Sequence, residues 1–174
     1  MVRKMTKEQN YDVVIAGCGV AGLYTALSLP RDMKILMLSK EDIASCDSML
    51  AQGGICVLRD ENDYDAYFED TMRAGHYENR RESVEIMIRS SRGIINHLLA
   101  LGVQFEKNSD GSLAYTREGA HSRPRICFHK DITGEEITTT LLSHVKTLRN
   151  VTIMEYTTMT DIIEKDGICI GIKA

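Results

Sequence analysis

The first ten residues, MVRKMTKEQN, are polar and aperiodic, the pattern of a loose tail. Hydrophobic order begins at Tyr11-Asp12-Val13-Val14-Ile15-Ala16, a β-branched run that predicts a strand. The chain then passes through Gly17-Cys18-Gly19-Val20-Ala21-Gly22 into a helical segment from about Val20 to Leu29, which Pro30 stops. Lys34-Ile35-Leu36-Met37-Leu38 has the unbroken apolar character of a buried parallel strand. These stretches read as one strand, helix, strand unit.

Farther along, Asn79 with Glu82 has the form of a helix start, and Val84, Met87, Ile88, Ile95, Leu98 and Leu99 keep helical spacing until Gly102. That face should meet a core. Gln104 to Lys107 and Leu113 to Thr116 flank Asn108-Ser109-Asp110-Gly111, the composition of a hairpin turn. Thr133-Gly134-Glu135-Glu136 has the pattern of a capping box, opening a helix with Ile137, Leu141, Val145 and Leu148 on one face. A strand from Val151 to Met154 and an alternating pair, Asp161 to Glu164 and Ile168 to Ile172, joined across Asp166-Gly167, complete the pattern. The fold class is α/β. The last strand runs into Ala174 with no closing element, so the chain is expected to be a piece of something longer.

Composition narrows the function. With 174 residues, 43% hydrophobic and 26% charged, the chain supports one globular core. Its 21 Lys and Arg against 25 Asp and Glu leave a net charge of -4, which speaks against a nucleic-acid partner. Val13 to Leu29 is apolar enough to raise the question of a membrane segment or a signal peptide, but Asp12 and three interior glycines oppose both. The five cysteines, Cys18, Cys46, Cys56, Cys127 and Cys169, show no C-x-x-C spacing and fit a reducing cytoplasm. No pair among His76, His97, His121, His129 and His144 has ligand spacing beside a carboxylate, so no metal is expected.

Candidate chemistry starts at G-x-G-x-x-G. Gly17 permits a tight turn, Gly19 lets a pyrophosphate approach the backbone, and Gly22 lets helix and strand pack closely. The acid expected at the end of the second strand is absent. Ser39 and Lys40 stand there instead, able to bond a hydroxyl or meet a phosphate, while Glu41 and Asp42 read as a solvated loop. In Cys46-Asp47-Ser48-Met49-Leu50-Ala51-Gln52-Gly53-Gly54-Ile55, small residues and paired glycines would let backbone lie against a flat ring, with Ser48 and Gln52 offering hydrogen bonds. The same stretch also reads as an ordinary loop into a helix. Arg117, Arg123 and Arg125 crowd Glu118, which by itself describes a solvated, mutually neutralising loop.

Taken together, the G-x-G-x-x-G unit, the strand ending in Ser-Lys and A-Q-G-G-I resemble the flavoprotein family that contains L-aspartate oxidase and the flavoprotein subunits of succinate dehydrogenase and fumarate reductase. Within that family, Thr116-Arg117-Glu118-Gly119-Ala120-His121-Ser122, followed by Arg125-Ile126 and Asp131-x-Thr133-Gly134, is similar to the aspartate-oxidising branch. The resemblance implies the N-terminal part of a Rossmann-like FAD-binding domain, with a parallel sheet, helical insertions and a small β-meander over residues 11 to 174. It further implies that the capping domain, the C-terminal helical domain and the His and Arg residues that bind substrate carboxylates are missing, so the chain alone would be inactive.

The implied activity is FAD-dependent oxidation of L-aspartate to iminoaspartate, with oxygen or fumarate as acceptor, at the start of NAD biosynthesis; quinolinate synthase would be the downstream partner. A dicarboxylate oxidoreductase of the succinate or fumarate kind and a noncatalytic nucleotide-binding fragment are the alternatives. The resemblance assigns Gly17, Cys18, Gly19, Val20, Ala21 and Gly22 to the FAD pyrophosphate turn, Ser39 and Lys40 to the adenosine side, and Asp47, Ser48, Met49, Leu50, Ala51, Gln52, Gly53 and Gly54 to the flavin side. Glu118 and His121 are its catalytic candidates. Asp47 takes the place where the succinate and fumarate relatives carry the histidine of a covalent flavin bond, so the FAD is expected to be noncovalent.

Overall fold

The computed structural model describes residues 8–174. The tail expected over residues 1 to 10 therefore lies, through residue 7, outside the described residues. Two compact units are present, one formed by the chain up to Cys46 together with Leu141–Ala174, the other by Asp47–Thr140.

The first unit holds a three-stranded parallel sheet of β1 (Val13–Ala16), β2 (Ile35–Leu38) and β5 (Val151–Met154), with β2 in the centre. Val13 pairs with Ile35 and Ala16 with Leu38, while Ile35 also faces Val151 and Leu38 faces Met154. The central position explains the composition of β2, whose four residues are all apolar and all buried. Helix α1 (Val20–Ser28) buries Leu23, Ala26 and Leu27 at helical spacing. The local strand, helix, strand reading is thus met within a residue or two at each boundary. The expected meander is a two-stranded hairpin of β6 (Asp161–Lys165) and β7 (Ile168–Lys173), turned at Asp166 and Gly167 with φ 54° and 76°, as an Asp-Gly turn favours.

In the second unit, α3 (Tyr64–Ala74) and α4 (Arg81–Ala100) close over a core of Leu58, Tyr67, Met72, Val84 and Ile88. A short turn of helix, α2 (Asp47–Leu50), leads to β3 (Ile55–Cys56), which pairs antiparallel with β4 (Ile126–Cys127). Helix α5 (Thr133–Val145), whose residues from Leu141 on belong to the first unit, buries Ile137, Leu141 and Val145; Leu148 falls beyond its end.

Four local expectations give way to tertiary contacts. Asn79 does not cap α4: the helix starts after Arg80 without a side-chain cap, and Asn79 Oδ1 is buried with no hydrogen-bond partner. Thr133 and Glu136 form no capping box, because the Thr133 hydroxyl donates to the carbonyl of Gly53 and Glu136 accepts from the N–H of Gln104. The hairpin around Asn108 to Gly111 keeps its turn but only a single bridge, Lys107 with Leu113, in place of two strands. Met87, expected in the core, is 45% exposed. No expectation covered α3, whose sequence YDAYFEDTMRA mixes apolar with charged residues and buries only Tyr67, Asp70 and Met72.

Candidate functional site

The glycine-rich turn of the first unit is shaped by a left-handed backbone at Gly17 and by close packing at Gly22. Gly17 adopts φ +114° and donates its N–H to the carbonyl of Leu38 at 2.9 Å. A Cβ on Gly22 would stand 2.1 Å from the Gly17 carbonyl oxygen, so the helix can approach the turn only as glycine. Gly19, the N-cap of α1, is extended, with φ -71° and ψ -179°, and no side chain caps the helix. No acid lies in the first turn, which contains Val20 and Ala21. An α1 start with no side-chain cap and no acid in its first turn suits a phosphate. Cys18 is buried and donates its thiol to the Leu38 carbonyl at 3.5 Å; burial pushes the thiol pKa up, so it acts as a packed apolar group. Ser39 is buried too, its hydroxyl on the Asp42 carbonyl at 3.4 Å and its N–H on Met154, while Lys40 is exposed.

In the second unit, residues 47–54 lie on a platform built from the D-x-T-G stretch. The N–H of Gly134 donates to Ala51 at 2.9 Å, the Thr133 hydroxyl to Gly53 at 2.6 Å, and Gln52 Nε2 to Asp131 at 3.3 Å. Gly134 has no space for a Cβ, which would meet the Ser48 carbonyl oxygen at 2.1 Å. The second glycine of A-Q-G-G is explained by protein contacts, since a Cβ on Gly54 would stand 2.4 Å from the Cys127 carbonyl oxygen; a Cβ on Gly53 would stand 3.1 Å from Glu118 Oε2, the movable end of an exposed side chain. Ser48 and Met49 are half-buried; Asp47, Leu50, Ala51, Gln52, Gly53 and Gly54 are exposed, Leu50 at 79%. Two motifs far apart in sequence, A-Q-G-G and T-R-E-G-A-H-S, therefore meet at Gly53 and Glu118.

Behind this surface lies a cluster that sequence reasoning missed. Arg125, expected in a solvated loop, is fully buried. Its Nε and Nη2 donate to the two oxygens of Asp63, each at 2.8 Å, and its Nη1 donates to Asp70 at 2.7 Å. Burial opposes ionisation of Asp70, but hydrogen bonds from the Ser122 N–H and hydroxyl, both at 2.6 Å, and from Arg125 outweigh it and bring the carboxyl pKa down to about 2. The bonds that Arg125 donates to Asp63, and then the one to Asp70, push its guanidinium further up. Asp63, Tyr67 and Asp70 recur at the spacing of one helical face, with Tyr67 stacked 5.0 Å from the guanidinium. That spacing was the one available sequence signal.

His121 lies between this cluster and β3. Its Nδ1 is 2.9 Å from Arg125 Nη1, and its Nε2 is 3.0 Å from Cys56 Sγ. Burial, then the Arg125 charge, lowers the imidazole pKa from its ordinary value. Glu118 is exposed, and among the described residues no ion pair joins it to Arg117 or Arg125. A cleft of about 510 Å³ opens beside His121, with Gly54, Cys56, Tyr67, Met87 and Ala120 in its walls. Among the described residues, no three His, Cys, Asp or Glu side chains stand together as a metal site, no helix is long and apolar enough to cross a membrane, and all five cysteines are free.

A family model described as "FAD binding domain" matches residues 12–174. The L-aspartate oxidase of Clostridium perfringens is 47% identical over 160 residues, covering 92% of this chain and 36% of that protein. That of Clostridium acetobutylicum is 47% identical over 163 residues, covering 94% and 38%. The chain thus spans about a third of the length of the curated relatives it matches. Among solved structures, the FrdA chain of Escherichia coli quinol fumarate reductase superposes with a TM-score of 0.91 over 96% of this chain and 29% of that one; at 23% identity, this shows the shared fold.

Proposed function

The chain belongs to the FAD binding domain family, and from that premise we propose that it is the N-terminal, cofactor-holding part of an L-aspartate oxidase, converting L-aspartate to iminoaspartate with oxygen or fumarate as acceptor. That reaction would be the first step of de novo NAD biosynthesis, in the cytoplasm, with quinolinate synthase taking the product. The observation that carries the reading is Glu118: its carboxylate is exposed beside Gly53 and is not neutralised by the arginines that flank it in sequence.

The residues present fit FAD. The uncapped start of α1, with Gly17 at positive φ and Gly22 packed on the turn, suits the pyrophosphate, and Lys40 suits the adenosine side. Ser39, already bonded within its own turn, contributes mainly to shape there. Residues Asp47 to Gly54, held from below by Thr133 and Gly134 and exposed above, are assigned to the flavin side. When bound, FAD supplies the two-electron acceptor for dehydrogenation of the C–N bond.

The chain supplies charge and position. Glu118 offers the negative group that meets the substrate ammonium, which aspartate has and succinate lacks. His121 holds the other end of the same loop against β3. Asp47 is a carboxylate where a covalent flavin bond would need histidine, so the FAD is noncovalent; acid precipitation of the FAD-loaded protein should release the yellow colour to the supernatant, and colour left in the washed pellet would refute this.

Flavin bleaching tests the function. In the full-length protein under anaerobic conditions, aspartate should bleach the flavin absorbance and succinate should not. Bleaching by succinate alone would move the assignment to the dicarboxylate dehydrogenases.

A further inference from the structure

Arginine carries only donors and stays protonated in proteins, so Arg125 Nη1 must donate to His121 Nδ1 across their 2.9 Å contact. The Nδ1 lone pair is therefore occupied. A neutral ring then carries its single proton on Nε2, the atom 3.0 Å from Cys56 Sγ. Protonating Nδ1 would place an N–H against a guanidinium that cannot turn away, because its Nε and Nη2 are fixed by the two oxygens of Asp63 and the other hydrogen of Nη1 is held by Asp70. Asp70 in turn holds the Ser122 N–H and hydroxyl, one residue past the histidine. The groups facing the imidazole are thus Arg125, Asp63 and Asp70 on one side, and Cys56 of β3 with the edge of Tyr67 of α3, its ring centroid 5.6 Å away, on the other.

We propose that Arg125 is the positioning residue of the substrate loop: through Nδ1 it locks His121 as the neutral Nε2–H tautomer, and through Asp70 it fixes Ser122, so that the segment from Glu118 to Ser122 keeps one geometry and one charge across the pH range in which histidine ordinarily titrates. His121 then acts as a hydrogen-bond donor and never as the proton-accepting base. The identity of the ligand at this loop rests on the aspartate-oxidase reading; the lock itself does not.

Two readouts separate the lock from the reading. In ¹⁵N-labelled protein, the His121 ring should show a bare Nδ1 and a protonated Nε2, with no titration between about pH 5.5 and 7.5. Arg125→Lys keeps the charge but loses the planar fork, and in that variant His121 should titrate, with a midpoint raised toward the ordinary imidazole value. In the FAD-loaded full-length protein, the KM for aspartate should be flat over the same range. Arg125→Lys should add one ionisation to the KM profile that tracks the NMR midpoint, at unchanged flavin content, a change that lost packing alone would not produce. A proton on Nδ1, or an ordinary titration of His121 in the unaltered protein, overturns the lock without any variant being needed. Absence of aspartate turnover in the unaltered protein would refute the oxidase reading and leave the tautomer measurement to decide the lock.

Discussion

The hydroxyl of Thr133, at the first turn of α5, donates to the carbonyl of Gly53 at 2.6 Å across 80 residues of sequence, and accepts in turn from the N–H of His129 at 2.9 Å. One buried side chain thereby anchors the exposed A-Q-G-G backbone. Thr133→Val keeps the shape and removes the hydroxyl, leaving a backbone donor and a backbone acceptor without their partner. The expected loss is about 1–3 kcal/mol. Urea unfolding should show a lower midpoint with an unchanged slope, and an unaltered midpoint would mean that the platform does not depend on this bond.

Gly22→Ala probes the nucleotide turn. The added carbon would stand 2.1 Å from the Gly17 carbonyl oxygen, a backbone atom that cannot rotate away, so α1 must move off the turn. Overpacking of this kind costs about 1–3 kcal/mol. Because the displaced element is the one proposed to offer its N-terminus to phosphate, bound FAD per protein, read by absorbance, should fall more steeply than the far-ultraviolet signal of the fold. Full flavin content in the variant would remove α1 from the cofactor site.

Glu118→Gln tests discrimination. A carboxylate about 4 Å from an ammonium gains about 4 kcal/mol at an effective dielectric of 20 and about 1 kcal/mol in bulk water. Since Glu118 is exposed, the lower part of that range applies. Aspartate binding should weaken by roughly tenfold, the equivalent of about 1.4 kcal/mol, while succinate binding holds or improves. Titrations of the full-length protein with both ligands provide the check; equal losses would indicate damage to the loop, and no loss would return Glu118 to the solvated surface.

Acid stability should reveal the buried cluster. The Asp70 pKa is lowered in the fold to about 2, against an ordinary value near 3.8, so its contribution is fully present above the ordinary value and disappears as pH falls through about 2. Thermal midpoints measured from about pH 5 down to 2 should drop across that window. In Asp70→Asn the drop should be shallower, on a lower plateau at neutral pH, because the group that titrates is gone together with its charge on Arg125.

What the sequence determined by itself is the set of elements whose local signal no distant contact opposes. The β1, α1, β2 unit follows from a β-branched run, a glycine turn at Gly17 and a stop at Pro30; the β6–β7 hairpin follows from alternation around Asp166-Gly167; and α4 follows from apolar spacing between Val84 and Leu98. Motif order was enough to mark the FAD-binding family. Only the tertiary structure decided which polar residues go inside. Asp63, Asp70 and Arg125 look like solvated charges in sequence, because a carboxylate in a polar stretch carries no local mark of the cation it will meet 62 or 55 residues later. For the same reason Thr133 and Glu136 read as a local cap, whereas their side chains reach Gly53 and Gln104. Periodicity reports which face of an element is apolar, but a hydrogen bond between distant segments is settled by the three-dimensional positions those segments reach, where burial makes leaving such a group unpaired more costly than breaking a local rule.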